Sequence, residues 1–208
     1  MDNKLYWTNK HKKYSQEDWI DRPTVFAQVA TNYFPKSGKL LDLGAGQGQD
    51  SRFFAEKGYI VTGTDYSETA IELANSQKKE LKIEYLVHNL KDKLPFNSNT
   101  FDVVYSHLSI QFFDNDVTES IFLEIHRVLK KGGVVAIMVN TKDDPQVQVS
   151  KPMYEDLYEA PDGLIKRFYT TQSLSKFVSN KFETIMLDSN GETYKDKIKT
   201  LIRYIGKK

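Results

Sequence analysis

The sequence predicts an α/β protein built on a parallel sheet. Short β-branched runs alternate with segments of helical spacing from residue 39 to residue 140, and glycines mark the junctions between them. Hydrophobic residues make up 39% and aromatic residues 12% of 208 positions, enough to bury one substantial core. At roughly 100–200 residues per domain, one domain is the better prior than two.

The elements follow in order. Pro23 to Tyr33 carries Val25, Phe26, Val29 and Ala30 at helical spacing, with Pro23 suited to a first turn. Gly38 breaks the chain before Lys39–Leu43, a short strand entering a glycine cluster. Gln49 to Lys57 predicts a helix that Gly58 terminates, and Tyr59–Thr64 predicts a second strand. Ser67 caps a third helix, with Glu68 in its first turn. Strands are predicted over Ile83–Val87 and Phe101–Tyr105, and then an amphipathic helix over Asp116–Leu129. Val134–Val139 is an apolar run of the kind covered on both faces of a parallel sheet. Such alternation calls for right-handed crossovers. Thr141 to Tyr169 holds three prolines without clear periodicity and reads as an insertion over the sheet edge. A short helix over Thr171–Asn180 and strands over Phe182–Leu187 and Ile198–Ile205 complete the prediction.

Composition excludes several function classes. Lys and Arg number 29 against 28 Asp and Glu, a net charge of +1 that gives no electrostatic reason to expect nucleic acid or an anionic membrane. The longest apolar run is far short of the roughly 20 residues that span a bilayer. Without cysteine there is no disulfide scaffold, zinc ribbon or thiol nucleophile. His11, His88 and His126 lack metal-ligand spacing, so no metal is expected. The stretch from Met1 to Trp7 lacks the apolar core of a signal peptide, which makes the cytoplasm the expected address.

The informative stretch is Leu40-Leu41-Asp42-Leu43-Gly44-Ala45-Gly46-Gln47-Gly48-Gln49-Asp50. Strand, glycine turn and helix in succession form a nucleotide-type site at a strand's carboxyl end. Asp65 ends the next strand 21 residues after Gly44, the distance for an acid that grips ribose hydroxyls. A dinucleotide fingerprint needs a small residue where Gln49 stands; the spacing here is G-x-G-x-G. Asp42, just upstream, would repel a pyrophosphate and attract an ammonium or sulfonium. The loop therefore favours a cationic, amino-acid-bearing nucleoside over NAD. The bland alternative is a ligand-free strand–helix turn.

LDLGAGQGQD, VTGTDYS, LPFNSNTFDVVYSHLS and HRVLKKGGVVAIMVN, in this order and spacing, resemble the class I S-adenosylmethionine-dependent methyltransferases from about Lys39 to Asn140. Within them the chain is similar to small single-domain bacterial enzymes of the tellurite-resistance, thiopurine-like and methyltransferase-domain 11/25 types. The resemblance implies a Rossmann-like three-layer αβα sandwich, a seven-stranded mostly parallel sheet with an antiparallel last strand, in one domain over 1–208. It implies a cofactor-covering segment over 1–35 and a substrate-side insertion over 141–170. It also implies S-adenosylmethionine as cofactor and methyl transfer to a small-molecule acceptor by in-line displacement. A cofactor-binding module without activity is the rival reading, and an NAD-dependent oxidoreductase a weaker one.

Carried over by position, Asp42 and Gly44, Ala45, Gly46, Gln47 and Gly48 would hold the methionine portion. Asp65 would take the ribose hydroxyls, with Tyr66 and Ser67 beside it, and Asn89 with Leu90 the adenine. Asn89 departs from the Asp common at that place, and its amide oxygen can still accept from the adenine amino group. Ser106 and His107 would lie beside the methyl group. His107 is a candidate general base or a pocket wall. Trp19, by cation–π contact or plain packing, and Tyr154, Tyr158 and Tyr169, by stacking or core closure, are candidate substrate contacts. Lys10-His11-Lys12-Lys13 reads as solvated charge.

Overall fold

A computed structural model describes residues 3–193 and 201–208. Five parallel strands form the main body of a seven-stranded sheet: β1 (Lys39–Leu43), β2 (Ile60–Asp65), β3 (Ile83–Val87), β4 (Phe101–His107) and β5 (Leu129–Asn140). The strand order is β3-β2-β1-β4-β5-β10-β9, with β9 (Glu183–Gly191) at the edge and β10 (Leu201–Lys207) inside it. β10 runs antiparallel to both β5 and β9, so the last strand is reversed as expected. Of the strand predicted over Ile198–Ile205, the first three positions lie outside the described residues.

Period-two alternation sorts the side chains into two cores. Leu41 and Leu43, Val104, and Val135, Ile137 and Val139 face one side. There they meet Ile121, Phe122 and Ile125 of α5 (Asn115–Val128) and Leu174 and Val178 of α6 (Thr171–Val178). Leu40, Val61, Val103, Tyr105 and Met138 face the other side. Their partners there are Phe26 of α2 (Val25–Ala30), Phe54 of α3 (Gln49–Glu56) and Ile71 of α4 (Glu68–Gln77). Asp42 alternates with Leu40 and so shares its face, a carboxylate on an otherwise apolar strand.

The predicted caps are present. The Ser67 side chain accepts from Ala70 N–H, and Gly58 takes the left-handed φ of +97° that ends α3. α2 starts later than predicted: Thr24 is its N-cap, and Thr31–Tyr33 tightens into a 3-10 turn.

Two elements depart from expectation. α1 (Asn3–Tyr14) is a helix with no apolar stripe of the usual width. The insertion contains a 3-10 turn (Pro145–Val149) and a three-stranded antiparallel sheet of β6 (Lys151–Pro152), β7 (Leu157–Glu159) and β8 (Ile165–Arg167). These strands of two or three residues are too short for periodicity to register. Among the described residues no helix is long and apolar enough to cross a membrane.

The chain's order reverses between β1 and β4, and the carboxyl ends of the strands open a crevice there. Phe54 braces its floor, packing on Phe34, Phe53, Tyr59 and Tyr105. Phe54→Ala should lower unfolding free energy by about 3–5 kcal/mol in urea titration. A loss under about 1 kcal/mol would show that this cluster does not support the crevice.

Candidate functional site

A cavity of about 720 Å3 occupies the crevice. Its first wall is the glycine turn after β1. Gly44, Gly46 and Gly48 have φ of +72°, +56° and +76°, values that L side chains rarely adopt. A Cβ on Gly44 would overlap Ser109, and one on Gly48 would overlap the Tyr85 hydroxyl, so both close approaches require glycine. The N–H groups of Gly44 and Ala45 donate to Thr64 O at 2.7 and 2.8 Å. That of Gly46 donates to Asp65 Oδ2 at 2.9 Å, and that of Gly48 to Ala45 O at 2.9 Å. With four of its five N–H groups paired within the fold, this loop offers a phosphate fewer donors than an open nest, in line with the preference read from its sequence.

Asp65 lines the cavity, its second oxygen accepting from Ser67 N–H at 2.9 Å. Beyond it Tyr66, His88, Asn89 and Leu90 continue the wall. The Asn89 side-chain oxygen accepts from Lys91 N–H, which sets the amide's orientation.

Deeper in, Asp42 is 2% exposed and accepts from Ser51 Oγ at 2.6 Å. Burial, reinforced by the nearby Asp50 carboxylate, pushes its carboxyl up to about 8. Asp50, a cavity residue that the sequence reading passed over, accepts from Thr24 N–H, Thr24 Oγ1 and the Tyr105 hydroxyl at 2.7, 2.8 and 2.8 Å.

α1 and the turn after it form the roof. Trp7, His11 and Tyr14, spaced i, i+4 and i+7, present one aromatic face, and Tyr6, Lys10 and Trp19 complete the lining. Trp7 meets Phe112 edge-on at 5.1 Å, and Tyr14 meets Trp19 at 5.4 Å. Gln47 Nε2 donates to His11 O at 2.7 Å, and the Tyr6 hydroxyl to Asp162 at 2.8 Å. The reading of Lys10 and His11 as solvated charge is therefore corrected: both line the cavity, and His11 is buried. The i, i+4, i+7 spacing was the available signal, and the flanking lysines obscured it.

His107, Leu108, Gln111, Phe112 and Phe113 follow β4, and Asn140, Asp144 and Gln146 follow β5. Leu164 and Lys166 reach the same end from the insertion. Burial holds the His107 imidazole below its ordinary value, against a smaller opposing pull from Asp50, so it is neutral at pH 7. Buried nitrogens or oxygens of His11 (Nδ1), Gln47 (Oε1), His88 (Nε2) and His107 (Nε2) have no hydrogen-bond partner among the described residues, and all four side chains line the cavity.

The structure thus brings Asp42, Gly44, Ala45, Gly46, Gln47, Asp65, Tyr66, Asn89, Leu90, His107 and Trp19 to one cavity. It does not place the others on the wall. Gly48 caps α3, Ser67 caps α4, and the Ser106 hydroxyl is held by Ser109 at 2.6 Å. Tyr169 is fully buried between Arg167 and Phe177, a core residue rather than a substrate contact. Tyr158 packs on Phe168, and Tyr154 lines a smaller adjoining pocket with Met153 and Phe113.

The residues present suit an amino-acid-bearing nucleoside: a carboxylate at the β2 end and two buried carboxylates for a cation, all three lining the cavity. Residues 41–137 match the methyltransferase domain family. Malonyl-[acyl-carrier protein] O-methyltransferase of Enterobacter lignolyticus is 27% identical over 167 residues, covering 80% of this chain and 62% of that protein. Demethylmenaquinone methyltransferase of Staphylococcus epidermidis is 31% identical, covering 62% and 52%. The chain thus spans between half and two thirds of these curated relatives. A crystal structure of a SAM-dependent methyltransferase from Methanosarcina mazei superposes with a TM-score of 0.71 at 26% identity, covering 86% of this chain and 96% of that one. Over residues 41–137 the chain is thus similar in sequence to the methyltransferase domain family, and in fold it is similar to S-adenosylmethionine-dependent methyltransferases, whose cofactor is S-adenosylmethionine.

Proposed function

We propose that this chain, acting as one methyltransferase domain over 1–208, transfers a methyl group to a small-molecule acceptor by direct in-line displacement. The observation that carries the reading is a single roofed cavity. It joins the glycine loop and Asp65 at one end to His107, Gln111, Asn140 and Lys166 at the other. Its volume, about 720 Å3, lies within the range of small-molecule sites. The net charge of +1 favours such an acceptor over nucleic acid. One relative is named for a demethylmenaquinone and one structural neighbour for a toxoflavin precursor, both small molecules.

When bound, S-adenosylmethionine supplies an electrophilic methyl carbon on a cationic sulfur. Asp65 would hold the ribose, Tyr66, His88, Asn89 and Leu90 the adenine, and Asp42 the ammonium. The aromatic roof within residues 1–35 excludes water and sets Trp7, Tyr14 and Trp19 as faces for a cation. Residues Asp144, Gln146, Leu164 and Lys166, within 141–170, wall the acceptor end. Orienting the acceptor supplies much of the rate enhancement. For a protonated acceptor, the neutral His107 imidazole would take the proton.

Calorimetry with S-adenosylhomocysteine and NAD tests the cofactor half of the reading. The sulfur nucleoside should bind and Asp65→Ala should weaken it at least a hundredfold, whereas binding of NAD alone would sink the assignment. Trp7 and Trp19 both line the cavity, so their fluorescence should change on the same titration. Tryptophan emission that stays unchanged at saturating ligand would contradict the roof's contact with the ligand. Once an acceptor is found, His107→Asn should lower kcat by about 10²–10⁴-fold. Its imidazole works as the free base, so wild-type activity should fall as pH drops through the folded value, below 6.5. An unchanged acid limb in the variant would assign His107 to the wall.

A further inference from the structure

We propose that Asp50 acts with Asp42 as one buried carboxylate pair that selects the cofactor by its ammonium group and exchanges a proton for it. The inference rests on the cofactor reading above and extends it to a residue outside the glycine motif.

Both carboxylates line the cavity, and they are 2% and 5% exposed. Their hydrogen bonding is unequal. Asp50 accepts three donors, Thr24 N–H, Thr24 Oγ1 and Tyr105 Oη. Asp42 takes a single donor, Ser51 Oγ on Oδ2, which leaves Oδ1 to the cavity. Two neighbouring carboxylates out of water do not both hold a charge without a cation. Asp42, the less hydrogen-bonded of the two and with its carboxyl raised by burial and then by the neighbouring Asp50, holds the proton.

The groups facing Asp42 come from four elements. Asp50 and the Ser51 hydroxyl come from α3, Asp65 from β2, Tyr85 from β3 and Tyr105 from β4. Burial pushes the Tyr85 hydroxyl up to about 12 and holds that of Tyr105 well above its ordinary value, so neither titrates near neutrality. His11 of α1 faces Asp65 and is held below its ordinary value by burial. Asp42 is therefore the group in this cluster that changes charge between pH 6.5 and 8.5. An entering ammonium supplies the missing positive charge, the Asp42 carboxyl loses its proton to solvent, and the pair is left ionised around the cation. The same nucleoside without its amino-acid end brings no cation and displaces no proton.

The experiment titrates the full chain with S-adenosylhomocysteine and with 5′-methylthioadenosine from pH 6.5 to 8.5, in two buffers of different ionisation enthalpy. S-adenosylhomocysteine should bind about tenfold more tightly per pH unit up to a break near pH 8, releasing about one proton below it. Binding of 5′-methylthioadenosine should not vary with pH. Asp42→Asn should lose the pH dependence and most of the preference for S-adenosylhomocysteine while still binding 5′-methylthioadenosine, which shows that the variant is folded. Asp50→Asn, with one charge fewer beside Asp42, should move the break to lower pH. Wild-type binding of S-adenosylhomocysteine that is flat across this range overturns the proposal, as does an Asp50→Asn variant with the break in place. Failure of both nucleosides to bind at any pH overturns the cofactor reading instead.

Discussion

The Asp50 carboxylate is the point on which the cavity is assembled. One oxygen accepts the Thr24 N–H and the other accepts Thr24 Oγ1 and the Tyr105 hydroxyl. Thr24 is the N-cap of α2, Tyr105 stands on β4, and Asp50 itself lies in the first turn of α3. A single buried side chain thus joins two helix starts to a central strand. Because each donor is itself buried, losing the acceptor would strand the Thr24 N–H and leave the Thr24 and Tyr105 hydroxyls, 3.1 Å apart, with only the bond between them, and an unsatisfied buried donor costs about 1–3 kcal/mol. The same carboxylate reinforces the burial that holds Asp42 above the usual carboxylate range. Architecture and ligand chemistry draw on one set of hydrogen bonds.

A second constraint comes from the glycine turn. Its backbone must pass close under Ser109 and Tyr85, and its N–H groups are committed to Thr64, Asp65 and Ala45. The turn cannot serve as an anion nest without giving up the bonds that shape it. Recognition then falls to acidic side chains, which suits a ligand with a positive charge and an uncharged sugar. The difference between this site and a dinucleotide site lies in where the backbone donors point.

Much of this was legible in the sequence, for identifiable reasons. Strands β1 to β5 are apolar runs bounded by glycine or by capping residues, and Asp42 and Asp65 sit at fixed offsets from the turn. Local signals of that kind survive folding. Asp50 was hidden because its role depends on Thr24 and Tyr105, 26 and 55 residues away. Tyr169 misled in the opposite direction. An aromatic side chain in a loop over a cleft suggests stacking, yet a β-bridge to Thr141 and burial beside Phe177 make it core. The small sheet of the insertion carries no periodic signal at two or three residues per strand, so which of its side chains meet the cavity was not readable in advance.

The roof follows a different logic from the walls. α1 lacks the apolar stripe that fastens an amphipathic helix to a core, and its aromatic face looks onto the cavity. Two of its polar anchors, Lys4 to Glu68 and Tyr6 to Asp162, are solvent-exposed, where such contacts contribute about 1 kcal/mol or less each. The buried anchor, Gln47 to the His11 carbonyl, ties it to the glycine turn itself. Asp162 belongs to the insertion and Glu68 to α4, so the same helix spans the acceptor end and the nucleoside end. A cover attached this lightly to its scaffold gains much of its hold from whatever fills the space beneath it. Trp7 also packs edge-on against Phe112 and Tyr14 against Trp19, so the aromatic face of the roof is joined to the loop after β4 and to the turn after α1.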